Sequence, residues 1–204
     1  MLRIGLTGSI ATGKSTVLEH LAARGIPVYS ADQAVHELYI RDAVPAIETL
    51  FPGVVVDGVV DRQRLSAALA AEPGRIAELE AVVHPLVFEK AMDFLDRSEA
   101  DGADIAVLEV PLLFETGLRY PLDAVIVTHC ADLIQRQRAL ARPGMTGEKL
   151  EMILARQMSQ AEKRARGDFA IDTSGSVAQT DAQLDAILAR LRAGELGSPD
   201  RPVS

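Results

Sequence analysis

The sequence predicts an α/β fold in which a five-stranded parallel sheet is flanked on both faces by helices. Two observations predict it. Short apolar runs alternate with amphipathic helical patterns along most of the chain from Leu2 to Arg192, the order expected of a doubly wound sheet. The first run, Leu2–Thr7, leads directly into Gly8-Ser9-Ile10-Ala11-Thr12-Gly13-Lys14-Ser15-Thr16, which is G-x-x-x-x-G-K-S, and a helical pattern follows at once. That is the strand–loop–helix context of a phosphate-binding loop. Glycines at 8 and 13 let successive N–H groups turn inward on phosphate oxygens, and the helix N-terminus adds partial positive charge. Lys14 suits the β- and γ-phosphates, and the Ser15 hydroxyl suits Mg²⁺. The pattern selects a nucleoside triphosphate but does not say what becomes of it.

The elements follow in order. The loop helix runs from Lys14 to Arg24, with Gly25 as its stop. Ile26–Tyr29 reads as a second strand, and Ser30-Ala31-Asp32 carries an acid to its carboxyl end, where open α/β sheets bind ligands. A helix is expected over about 32–39. Residues 42–100 change character: amphipathic helices over 44–50 and 62–69, a turn region at 54–61 around Asp57-Gly58, and a helix from Arg75 to Val83 that His84-Pro85 interrupts before it resumes over 86–95. Asp104–Val110 is the most continuously apolar strand and ends near Glu109. Ala124–Thr128 is the fourth strand, and a helix runs from Asp132 to about Ala141. Pro143-Gly144 breaks it. Thr146 then caps a helix expected to reach about Arg166. Phe169–Asp172 is the fifth strand and Val177–Arg192 the closing helix; from Gly194 the Gly, Pro, Ser and charged residues predict a frayed tail over 194–204. The tally is five strands and about eight helices.

At 204 residues this is one domain with small insertions, and 48% apolar content supplies a sizeable core. The net charge of −8 argues against a nucleic-acid partner. The absence of an eighteen-residue apolar run argues against a membrane span. Cys130, the single cysteine, excludes an intrachain disulfide and fits a reducing cytoplasm; at the end of an apolar strand it reads as core. The N-terminus runs straight into a strand, so no signal peptide is expected.

Several other residues bear chemistry. Asp32 reads equally as a general base for an acceptor hydroxyl and as the N-cap of the helix after it. Glu109 stands where an acid could organise Mg²⁺ through water, or cap the turn at Pro111. Arg138 and Arg142, four apart, share a helix face; they could neutralise a transferring phosphate or form a solvated surface. His84 before Pro85 reads as a helix-boundary residue, and His20, His36 and His129 have no metal-ligand spacing.

Taken together these residues resemble the dephospho-coenzyme A kinase family. The resemblance rests on I-G-L-T-G-S-I-A-T-G-K-S-T at 4–16, S-A-D at 30–32, V-V-H-P-L-V at 82–87 and L-E-V-P-L-L-F-E at 108–115. It continues through the arginines at 136–142, Gln157 with Glu162-Lys163, and I-D-T-S-G at 171–175. It implies a P-loop kinase fold with a nucleotide-binding core (about 1–32, 101–137 and 166–193), a helical acceptor-binding insertion (about 33–100) and a lid (about 138–165). It implies transfer of the ATP γ-phosphate to the ribose 3′-hydroxyl of dephospho-coenzyme A, with Mg²⁺, in a cytoplasmic monomer or weak homo-oligomer. By position, Asp32 becomes the base and Arg138 and Arg142 the lid arginines. Gly8 and Ala11–Thr16 hold the phosphates together with Lys14, while Thr173 and Gly175 adjoin the nucleotide. His84, Glu109, Pro111, Leu112 and Phe114 line the acceptor side. The chain departs from the family pattern at Ser30 (usually Asp), His36 (commonly Arg), Glu109 (usually Asp) and Thr173 (usually Asn). The rival readings are a P-loop kinase acting on a nucleoside monophosphate or shikimate, and a GTP-dependent switch. The switch would need an N-K-x-D motif, which the sequence lacks.

Overall fold

The computed structural model describes residues 1–196, so all but the first three residues of the tail expected over 194–204 lie outside the described residues. Two compact units are present. The first comprises Met1–Tyr29 and the described residues from Arg97 onward, the second Ser30–Asp96.

The first unit is built on strands β1 (Leu2–Thr7), β2 (Val28–Ser30, its last residue in the second unit), β5 (Ile105–Glu109), β6 (Ala124–His129) and β7 (Phe169–Asp172), in the order β2-β5-β1-β6-β7. β1 runs parallel to both neighbours, with Ile4 opposite Val107 on one side and Ala124 on the other. β6 pairs in parallel with β7 through Ile126 and Phe169. The apolar runs are near-continuous because a parallel sheet is covered on both faces: every residue of β5 is buried. On one face Ile4, Leu6, Val107, Ile126 and Ile171 pack against Val17 and Leu21 of α1 (Lys14–Ala23) and against Leu184, Leu188 and Leu191 of α9 (Val177–Arg192). Outside that core, Arg24 ties the two helices by bonds to Asp181 and Asp185, at 3.0 and 2.8 Å. β1 is followed by a helix that leads toward β2, β6 by one that leads toward β7. Their carboxyl ends therefore flank the point where the winding reverses, the usual ligand crevice of such sheets.

The second unit holds α2 (Ala31–Leu38), α3 (Val44–Leu50), the strands β3 (Val55–Val56) and β4 (Val59–Val60), α4 (Arg62–Ala71), and α5 (Ile76–Ala100), whose last turn enters the first unit. The turn region at 54–61 is a β-hairpin. Asp57 and Gly58 have φ of 51° and 80°, the paired positive values of the tight turn that Asp-Gly favours between two antiparallel strands. Ser30, not Asp32, is the N-cap of α2: its side chain accepts from Gln33 N, and Asp32 sits exposed in the first turn. The interruption expected at His84-Pro85 does not occur, since α5 passes through Pro85. Leu79, Val83, Val87, Ala91 and Leu95 are buried at four-residue spacing, and burial of that stripe offsets the one backbone bond Pro85 cannot donate. Pro85 and Ala81, whose carbonyl it leaves over, are both on the exposed face.

Three helices of the first unit remain: α6 (Asp132–Leu140), α7 (Gly147–Arg156) and α8 (Gln160–Arg166). The last two replace the single helix expected to reach Arg166. Gln157 is extended, at φ −103° and ψ 145°, and Ser159 restarts the chain with a reciprocal capping box to Glu162. The capping signal lay in the sequence beneath a stronger helical periodicity. No helix among the described residues is long and apolar enough to cross a membrane.

Candidate functional site

The loop after β1 takes its shape from close packing underneath it. A Cβ at Gly8 would lie 2.3 Å from Thr128 Oγ1, so the loop and β6 approach each other only because residue 8 has no side chain. Thr12 is fully buried, its hydroxyl 2.8 Å from Ser9 O and 2.9 Å from Thr128 Oγ1. Ala11 and Gly13 have φ of 60° and 85°. These left-handed residues fold the loop back on itself, so that its amides can form an anion-binding concavity. Lys14 Nζ donates to Gly8 O at 2.7 Å and to Ser9 O at 3.1 Å, holding its charge over the loop.

Above the loop lies a cleft of about 280 Å³ lined by Ala11–Thr16, Arg138, Arg142, Thr173, Gly175, Val177 and Thr180. The expected nucleotide-side residues Ala11–Thr16, both arginines, Thr173 and Gly175 thus converge, while Gly8 supports the loop from below. Arg138 donates from Nη1 to Thr173 Oγ1 at 3.1 Å and from Nη2 to Thr173 O at 2.7 Å, which fixes its guanidinium at the cleft wall. Thr173 Oγ1 also lies 3.0 Å from Thr12 O, so it can donate there while accepting from Arg138. The Thr173 side chain therefore braces the loop. Arg142 is exposed, in the turn after α6.

At the end of β5, Glu109 is buried at 5% exposure and pairs in register with Leu6. Pro111 O accepts from Thr7 Oγ1 at 3.2 Å and from Lys163 Nζ at 2.7 Å. Leu112 is half-buried and Phe114 buried, with the Arg166 guanidinium 6.0 Å from its ring. Asp32 and His84 lie in the second unit, Asp32 exposed and His84 half-buried within α5. Burial pushes the Cys130 thiol above its ordinary pKa, which keeps it a neutral core residue rather than a nucleophile.

Sequence reasoning missed a layer of polar residues behind the loop. Lys163 is wholly buried and pairs with Glu115 at 2.9 Å. Burial lowers its ammonium pKa while the Glu115 carboxylate opposes that shift. Glu115 Oε1 also accepts from Met158 N at 2.8 Å, and Ser9 Oγ donates to Met158 O at 3.3 Å. The segment between α7 and α8 is thereby stitched both to the phosphate loop and to the turn after β5. Lys163→Met leaves Glu115 and Pro111 O without their cation, so it should cost about 3–5 kcal/mol, roughly 6–20 °C in Tm. Adding Glu115→Gln, which keeps the acceptor for Met158 but removes the stranded charge, should recover part of that loss in thermal melts.

A dephospho-CoA kinase family model matches residues 2–179. A Rhizobium etli protein named dephospho-CoA kinase is 50% identical over 192 residues, covering 94% of this chain and 95% of its own length. A crystal structure from Thermus thermophilus superimposes with a TM-score of 0.79 at 34% identity, over 93% of this chain and 97% of that one. The dephospho-CoA kinase of Campylobacter jejuni has a similar fold, with a TM-score of 0.71 at 24% identity over 94% and 98% of the two chains.

Proposed function

The chain belongs to the dephospho-CoA kinase family, and from that premise we propose how its residues transfer the γ-phosphoryl group of ATP to the ribose 3′-hydroxyl of dephospho-CoA, giving CoA and ADP. The observation that carries the reading is the convergence of Ala11–Thr16, Arg138, Arg142 and Thr173 on one cleft. Loop amides and Lys14 hold the β- and γ-phosphates. The two arginines neutralise charge that spreads over the phosphoryl oxygens as the bond to the leaving group weakens. Asp32 accepts the proton of the acceptor hydroxyl as the new P–O bond forms. Thr173 and Gly175 adjoin the nucleoside; His84, Pro111, Leu112 and Phe114 belong to the acceptor side.

No cluster of three or more His, Cys, Asp or Glu side chains that could hold a metal occurs among the described residues. The Ser15 hydroxyl on the cleft wall and the buried Glu109 carboxylate at the end of β5 are hard oxygen donors, the kind that suits Mg²⁺ held mainly by nucleotide phosphates and water. The Ser15 hydroxyl would be its direct ligand, and Glu109 would act through water. When bound, the ion neutralises charge between the β- and γ-phosphates.

The expected lid over 138–165 is anchored at several points: Leu150 and Leu154 pack with Ile10, Ala11 and Ala139, and Gln157, Met158 and Lys163 are bonded to the core. Met145 packs on the same cluster, so we confine closure to the exposed stretch 141–144, where Gly144 takes φ 71°. Arg142 lies in that stretch. Arg142→Lys keeps the charge but loses the planar fork. Losing one charge-assisted contact of about 1.5–3 kcal/mol should lower kcat roughly 10–100-fold in steady-state assays; wild-type kinetics would make Arg142 a surface residue.

The unpaired thiol of Cys130 fits the reducing cytoplasm. A coupled assay tests the function. ADP should be released when ATP is offered with dephospho-CoA, and CoA should be the product. Turnover on AMP or shikimate, with none on dephospho-CoA, would favour the rival kinases instead.

A further inference from the structure

Two successive peptides of the phosphate loop face opposite ways, and a buried glutamine holds the second of them. The Ser9–Ile10 peptide turns its carbonyl to the concave side, where it accepts from Thr12 Oγ1 at 2.8 Å and Lys14 Nζ at 3.1 Å. Its N–H points outward and donates to Gln157 Oε1 at 2.9 Å. The Ile10–Ala11 peptide is reversed: its carbonyl points outward and accepts from Gln135 Nε2 at 2.8 Å. The peptide is trans, and in a trans peptide the N–H and the carbonyl point in opposite directions. Holding Ile10 O on the outer side therefore turns the Ala11 N–H toward the concave side, into the cleft that Ala11 lines.

This reversal leaves Ala11 at φ 60°, a conformation that an L-residue adopts only at a cost, so something must hold it. Gln135 is suited to that task. It is 5% exposed, and its amide is oriented by Gln160, whose Nε2 donates to Gln135 Oε1 at 3.0 Å. Gln160 is itself fixed by Cys130 N, which donates to its Oε1 at 2.9 Å. Each amide is used as donor and acceptor at once, so the direction of Gln135 Nε2 is determined.

We propose that Gln135, oriented by Gln160, is a positioning residue that aims the Ala11 N–H at the nucleotide phosphates. The proposal rests on reading the cleft as the nucleotide site, and the test separates the two. Amide spectra are recorded for the ¹⁵N-labelled full-length protein as inorganic tripolyphosphate is added. In the wild type the Ala11, Gly13 and Lys14 amides should all shift. In Gln135→Met, which has similar size but no donor, the Ala11 response should be lost while those of Gly13 and Lys14 persist. The KM for ATP should rise about tenfold, the scale of one net hydrogen bond, with the KM for dephospho-CoA unchanged. If Gln135→Met does not fold, Gln160→Met decides alone. It keeps the donor on Gln135 but frees its orientation, and it should weaken the Ala11 response selectively. No shift at Gly13 and Lys14 in the wild type would overturn the nucleotide site itself. A wild-type Ala11 response in the variant that decides would overturn only the role of Gln135.

Discussion

Asp32→Asn is expected to lower kcat roughly 10²–10⁴-fold, the usual contribution of a general base, with little change in ATP affinity or Tm. Asparagine preserves the size of the side chain and most of its hydrogen bonding, but it cannot take up the acceptor proton at neutral pH. On the proposed reading the phosphates are held by residues 8–16, so KM for ATP should hardly move. Stability gives an independent control. Ser30 supplies the capping hydrogen bond of α2, and Asp32→Asn leaves that bond alone. What the exchange removes is an exposed charge in the first helical turn, about 0.3–1 kcal/mol at low ionic strength. A folded variant that turns over normally would send the search for the base elsewhere.

Lys14→Ala should lower kcat by roughly 10²–10³-fold, the scale reported for deleting a donor that stabilises developing charge, and should also raise the KM for ATP. Both constants should change if, as proposed, the lysine meets phosphate in the ground state and in the transition state. Its bonds to Gly8 O and Ser9 O add a second effect, since without them two loop carbonyls lose a cationic partner. Rapid-quench turnover at saturating ATP isolates the chemical contribution. Unchanged turnover there would refute a role for Lys14 in the transfer.

The parts of the molecule that were legible in sequence are those where chemistry and periodicity agree. Strand β5 read correctly because burial on both faces leaves a continuous apolar run, and the loop read correctly because its glycines and lysine follow from its geometry. The errors arose where two signals competed. Pro85 looked like an interruption, yet the four-residue stripe from Leu79 to Leu95 carries the helix through it. Ser159 with Glu162 was a start signal inside a longer periodic stretch, and the long period concealed it. Gln135 was not legible at all. In α6 the apolar Leu133 is 68% exposed while Gln135 is buried at 5%, the reverse of what hydropathy assigns, because the inward position faces a backbone carbonyl instead of a core. Asp32 had two sequence readings, and the structure removes one by giving the cap to Ser30.

The strand order has a consequence for synthesis on the ribosome. β1 is made first, but Leu2 pairs with Ile105 and Ile4 with Ala124, so the founding strand of the sheet emerges with neither neighbour yet made. At roughly 5–20 residues per second it waits on the order of ten seconds for them. Thr128, which packs under Gly8, arrives only with β6, and Thr173, which braces Thr12, is translated later still. A nascent chain carries the nucleotide-binding motif from its first moments without the support that shapes it. ATP grip therefore matures only on a nearly finished polypeptide, and bound nucleotide stabilises, by mass action, the completed fold in preference to its fragments.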